Sequence, residues 1–189
     1  MRKSARVAAR RAQGFTLVEL LVVIAIIAIL AAVVVLIINP LELTRRGRDA
    51  ARLTDLANLQ NAINVAVQEA TGSGAVAVLC KVAGSYPCSG KSGGTGGGTR
   101  ASDGTGWVKT DLSTAKSVSV PTLPIDPIND TVMHYTYCAD TDAWEIDAVL
   151  ESDQQKGKML TDGGNEDARY EVGSKLTLIA VSGGSCTYL

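Results

Sequence analysis

The side chains of this chain that could do chemistry are few, and most fall short of a site. Gly90-Lys91-Ser92 looks like the end of a phosphate-binding loop, which cradles phosphates with backbone N–H groups. That pattern needs four residues between its glycines, whereas five separate Gly84 from Gly90. A Ser-His-acid triad would have to use His134, the single histidine, which stands beside Tyr135 in an alternating segment and reads as a structural histidine. No HExxH or GxSxG pattern occurs. Asp162, Asn165, Glu166 and Asp167 gather in a glycine-containing turn, where oxygen ligands would suit calcium, although their spacing fails the EF-hand pattern. Asp126, Asn129 and Asp130 form a second, weaker set. The four cysteines, Cys80, Cys88, Cys138 and Cys186, are even in number, contain no CxxC and have only His134 as a nitrogen partner. That favours disulfides over zinc and an oxidising compartment. Three connectivities are open, and the preferred one closes a short loop with Cys80–Cys88 and ties the C-terminus back with Cys138–Cys186.

The remaining candidate is Glu19. It lies immediately before 19 consecutive apolar residues, 20–38. At ~1.5 Å per residue that run spans roughly 28 Å as a helix, close to the ~30 Å hydrocarbon core of a bilayer. A charge near the bilayer centre costs roughly 2.5 to 3.5 kcal/mol, less near an interface, so an acid at this place calls for a partner. No basic side chain lies between Phe15 and Glu42. Ahead of the run, residues 1–14 carry Arg2, Lys3, Arg6, Arg10 and Arg11 with no acid, the layout of a targeting segment. An ordinary cleaved signal peptide has a shorter apolar core and a small-residue cutting site, and here the run leads into Asn39-Pro40-Leu41-Glu42.

The string Gly14-Phe15-Thr16-Leu17-Val18-Glu19-Leu20, set between a short basic leader and a long apolar helix, resembles the class III processing signal of type IV prepilins and of type II secretion pseudopilins. The resemblance implies that a prepilin peptidase cuts between Gly14 and Phe15 on the cytoplasmic side and methylates the new N-terminus. It also implies that Glu19 meets the N-terminal amine of Phe15 on a neighbouring subunit during filament assembly. A carboxylate and an ammonium paired in low dielectric repay their desolvation only in good geometry, so such a pair sets register more than it adds stability. Further implied are a bacterial inner-membrane, single-pass location before assembly and a homo-oligomeric helical filament after it, with an assembly platform and ATPase as partners. No cofactor is implied beyond the calcium that heads of the major G-type pseudopilin bind in a C-terminal loop. Leu123-Pro124-Ile125-Asp126-Pro127 and Asp162-Gly163-Gly164 resemble that head in short stretches only.

The elements that would position these residues follow from composition and pattern. Of 189 residues, 46% are hydrophobic and the formal net charge is −1, which excludes a disordered chain and a nucleic-acid binder that works by bulk positive charge. Losing the leader removes five positive charges, taking residues 15–189 from −1 to −6. One Phe and two Trp leave little for a base-stacking platform, and no specific nucleic-acid partner is expected. Arg45, Arg46, Arg48 and Arg52 read as solvated or paired with Asp49 and Asp55. Leu53, Leu56, Leu59, Ile63, Val67 and Ala70 recur at steps of three or four, an apolar stripe suited to packing on a sheet, with Gly72 and Gly74 as the stop. A helix over 15–70 would reach about 84 Å, with a kink expected at Pro40. The expected organisation is a leader over 1–14, a long helix over 15–70 with its membrane and filament-core half at 15–38, and a head over 71–189. Strands are expected at 116–120, 132–138, 143–150 and 170–181, with a loose Gly-rich loop at 84–106. The fold class is α+β: a pilin-like long helix whose amphipathic half packs on a small antiparallel sheet. The chain reads as a structural subunit of a type IV pilus, not an enzyme. A type II pseudopilin and a membrane-tethered binding head or enzyme are the alternatives.

Overall fold

The computed structural model describes residues 14–73, 78–81, 86–117 and 119–187. Residues 1–13 of the leader and Gly84 lie outside the described residues. The chain divides into two compact units, Met1–Pro40 and Leu41–Leu189.

The first unit is helix α1, Leu17–Ile38, built almost wholly from Leu, Val, Ile and Ala. It ends where Asn39 takes a left-handed conformation, φ 43°, a C-cap that asparagine tolerates better than branched residues. Pro40 then opens α2, Pro40–Ser73, in the first-turn position where its missing N–H is not needed. The helix expected over 15–70 is thus two helices.

In the second unit α2 buries Leu56, Leu59, Ala62, Ile63 and Ala66, which recur at helical spacing on one face. They join Tyr135, Tyr137, Trp144, Ile146, Ala148 and Val172 in one core, so the sheet covers the helix stripe. The sheet comprises β1 (Cys88–Lys91), β2 (Thr136–Ala139), β3 (Trp144–Ala148) and β4 (Tyr170–Gly173), antiparallel throughout and in the order β1-β2-β3-β4. Because side chains alternate along a strand, Tyr137 opposite Ile146 faces α2, while Cys138 opposite Glu145 and Thr136 opposite Asp147 face the other way. Both faces are buried: every residue of β2 and β3 is. The second face is therefore an inner polar layer, in which Arg169 donates to Asp147 at 2.9 Å.

The structure corrects four element boundaries. The described residues of the expected strand at 116–120 form no strand, residue 118 lying outside the described residues: Lys116 and Ser117 donate their backbone N–H groups to the Glu69 carboxylate of α2 instead of to a ladder. Residues 132–135 precede β2 as a turn, since Asp130 Oδ1 accepts the N–H groups of Val132 and Met133. Strand β3 stops at Ala148, and β4 stops at Gly173 instead of continuing to 181. The Gly-rich stretch over 84–106 is not simply a loose loop, for it contains β1, and its glycines wrap the fully buried Trp107. A Cβ at Gly90 would collide with the Trp107 carbonyl oxygen, and one at Gly98 would crowd the Trp107 backbone. The Trp107 indole N–H donates to Pro124 O at 2.9 Å, and its ring meets Tyr135 at 5.8 Å between centroids.

Two glycines separate this requirement from mere composition. Gly90→Ala should destabilise the head by roughly 1–3 kcal/mol through overpacking, whereas Gly47→Ala, on an open face of α2, should stabilise it by up to ~1 kcal/mol. Denaturant unfolding of the full chain in detergent checks the pair.

Candidate functional site

The N-terminus of α1 is assembled from its own sequence. Thr16 is the N-cap, with extended backbone (φ −78°, ψ 152°), and its Oγ1 accepts the Glu19 backbone N–H at 3.2 Å. Glu19 reaches back in return: its Oε2 accepts the Thr16 backbone N–H and the Thr16 hydroxyl, each at 2.8 Å. This reciprocal capping box satisfies donors that no preceding turn can serve. It also fixes the Glu19 carboxylate against the start of its own helix. Just upstream, Gly14 has open space around it and Phe15 is 86% exposed, so the bond between them lies in accessible, non-helical chain. Downstream, Leu17–Val35 is long and apolar enough to cross a membrane, and its side chains are exposed. Glu19 is the one charged residue of α1.

Residues 9–35 match the family model of the prokaryotic N-terminal methylation motif. The chain carries a class III prepilin signal, the N-terminus shared by type IV pilins and pseudopilins. No curated protein and no solved structure matches the chain.

The model match accounts for the prepilin signal and leaves the head to be read from its own contacts. The structure joins Cys80 to Cys88 and Cys138 to Cys186, at sequence separations of 8 and 48, with no free cysteine among the described residues. Asp162 accepts the N–H groups of Gly164 and Glu171, closing its own turn onto β4, and Glu166 Oε1 accepts the Val181 N–H. Among the described residues no group of three or more His, Cys, Asp or Glu side chains is arranged to hold a metal. In the second set, Asp126 faces an arginine and Asn129 bonds Ser92. His134 is 2% exposed, with Nδ1 3.2 Å from Asp130 O, and Gly90-Lys91 belongs to β1.

The arginines after Pro40 are mostly internal links. Arg52 is fully buried and donates to Asp126 (2.5 and 2.9 Å), Asp49 (2.8 Å) and Glu151 (2.6 Å). Arg48 grips Glu151 through two bonds at 2.8 and 2.6 Å, and Arg46 pairs with Glu42. Asp49 in turn accepts the backbone N–H groups of Glu151 and Ser152, and Glu42 that of Asp153. Asp55 does not pair with an arginine here but accepts the Tyr135 hydroxyl at 3.0 Å. Together these bonds clamp the first turns of α2 to the chain after β3. The Arg48 guanidinium, with Arg52 behind it, holds the Glu151 carboxyl down at about 2. Burial opposes the charge of Asp49, yet the N–H donors of Ser152 and Glu151 and the Arg52 guanidinium keep its carboxyl below the usual range.

Two of these features were within reach of sequence reasoning to different degrees. Thr16-x-x-Glu19 fits the local capping-box pattern, a signal present in the sequence that reading Glu19 as an acid without a partner passed over. Arg52 was legible only in its local pairing with Asp49; its burial against Asp126 and Glu151, 74 and 99 residues away, was not.

Removing Arg52 leaves three carboxylates facing one another in a buried site. Arg52→Met should cost about 3–5 kcal/mol at neutral pH. The depressed Glu151 pKa stabilises the fold fully above its ordinary value near 4.5, and that contribution is lost as pH falls toward 2. Stability of the wild-type chain should therefore drop through this window, and the variant should show a shallower acid limb in denaturant titrations.

Proposed function

We propose that the chain is a structural subunit of a type IV pilus, made as an inner-membrane precursor, cut between Gly14 and Phe15 by a prepilin peptidase, and polymerised through α1. The observation that carries the reading is the coincidence of an exposed Gly14–Phe15 bond, a capped Glu19 and an exposed apolar helix within one short segment. Before assembly α1 is covered by lipid. Afterwards it is covered by other copies of itself, with the hydrophobic effect and helix packing driving the exchange. Cleavage creates an ammonium at Phe15, and a neighbouring chain's ammonium replaces the Thr16 donors as the partner of Glu19. The heads then form the outer wall. An assembly platform and ATPase supply the work of extraction, and the reading gives this chain no catalysis and no cofactor of its own. The acidic turn at 162–167 serves the head's internal hydrogen bonding.

A type II pseudopilin has the same signal; a loose Gly-rich loop would suit the exterior of a surface fibre, but Gly90 and Gly98 are packed against Trp107 and so do not favour the pilus over the pseudopilus. The two readings differ in where filaments are found: sheared from the cell surface or confined to the periplasm.

Glu19→Ala should leave cleavage intact and lower filament yield at least about tenfold, the ~1.4 kcal/mol per subunit contact that a lost charge pair readily exceeds. Gly14→Leu should block cleavage. Normal filament yield from the first variant would overturn the assembly role given to Glu19; a membrane-tethered head that works as a monomer would instead show an uncut N-terminus, no filaments and tolerance of Glu19→Ala.

A further inference from the structure

Beyond β4 the chain turns back over the sheet face opposite α2, and it is fastened there at two neighbouring points. Glu145, fully buried on β3, accepts the backbone N–H groups of Leu178 and Ile179 at 2.7 and 3.0 Å through one oxygen. Cys138, directly across from Glu145 in the β2–β3 register, is bonded to Cys186. Between these anchors the segment closes on itself: Cys186 donates to Leu178 O at 2.9 Å and Ala180 to Cys186 O at 3.2 Å. Gly183, at φ +84°, makes the reversal, and Gly184 lies so close to Leu178 O that no side chain would fit.

The apolar support for this segment is separate from the main core. Cys138, Leu178, Ile179 and Cys186 form their own buried cluster with Ala143 at its margin, so half of its buried members are the bridged cysteines themselves. Cys80 and Cys88, by contrast, are both part of the core that holds Trp107, Tyr137 and the α2 stripe. Breaking one bridge removes much of a small cluster, while breaking the other leaves two thiols inside a large one.

We propose that residues 176–186 form a redox-sensitive strap, which reduction of Cys138–Cys186 by a dithiol releases from the sheet while α2 and the four strands stay folded. The thiolate of the dithiol attacks the sulfur of Cys186, the more exposed of the two residues at 7% against 0%. The S–S bond breaks and Cys138 leaves as a thiolate that takes up a proton. The second thiol of the reductant then displaces Cys186 from the mixed disulfide. Two electrons pass from the dithiol to the bridge, leaving two thiols on this chain and a disulfide on the reductant. Once the bridge is open, the strap is held by the two N–H bonds to Glu145, by the Val181 N–H to Glu166 and the Asn165 amide to Ile179 O, and by two aliphatic side chains, none of them covalent.

The test is hydrogen exchange on the full chain in detergent micelles, comparing wild type with Cys138→Ser/Cys186→Ser and Cys80→Ser/Cys88→Ser. Removing a cross-link also lowers global stability, so the informative quantity is the difference between strap and strand amides. In the first variant the amides of Leu178, Ile179 and the residue at position 186 should exchange at least about tenfold faster than those of Ile146 and Val172. In the second the two groups should remain level. Strap and strand amides accelerating together in the first variant would overturn the proposal. Dithiothreitol titration of the wild-type chain with alkylation and mass spectrometry gives a readout that needs no variant to fold. Cys138 and Cys186 should be labelled before Cys80 and Cys88, and the reverse order would contradict the strap.

Discussion

A helix that is apolar on every side has no stable place in water, and α1 is such a helix. Its exposed Leu, Val and Ile side chains require cover from lipid or from other protein. That requirement shapes the rest of the N-terminus. A single carboxylate placed at the start of such a helix is tolerable only if its charge is met, and Glu19 is met first by Thr16 of its own chain. The capping box makes the helix start sharp, which leaves Gly14 and Phe15 outside it in accessible chain. One local arrangement thus helps α1 begin, shields the acid and presents the bond ahead of it.

The second unit solves a different problem. Its sheet is covered on both faces, one by the α2 stripe and one by polar groups and the C-terminal segment, so charged residues had to be taken into the interior. They are accommodated because each meets hydrogen-bond partners: Arg52 three carboxylates, Asp147 the Arg169 guanidinium, Glu145 two backbone N–H groups. Burial nevertheless pushes Asp147 up to about 6, and burial with the neighbouring Glu145 pushes Glu171 up to about 8. These acids act opposite to Glu151. Their raised folded-state values favour the fold at low pH, and that contribution fades as pH rises through them. A clamp that weakens in acid and a layer that weakens toward alkaline pH bracket the range in which the head is most stable.

What was legible in the sequence was local. The processing string, the apolar run, the break at Pro40 and the α2 stripe each declare themselves within a few turns of chain, and the helices follow them closely. The strand ends were not legible, because Lys116 and Ser117 give their backbone donors to Glu69, and Leu178, Ile179 and Val181 give theirs to Glu145 and Glu166, side chains well away in sequence. The same distance hid the burial of Arg52 against Asp126 and Glu151, while its pairing with Asp49 three residues before it was in reach. Glycine content misled in one place, around Trp107, where a loop composition serves close backbone approach instead of looseness.

The central claim is that the N-terminal signal is used, and the mass of the N-terminal peptide of the chain purified from its own cells tests it most directly. The account predicts a chain beginning at Phe15 and carrying one methyl group on its amine. A chain that still begins at Met1, or one cut elsewhere, would contradict it.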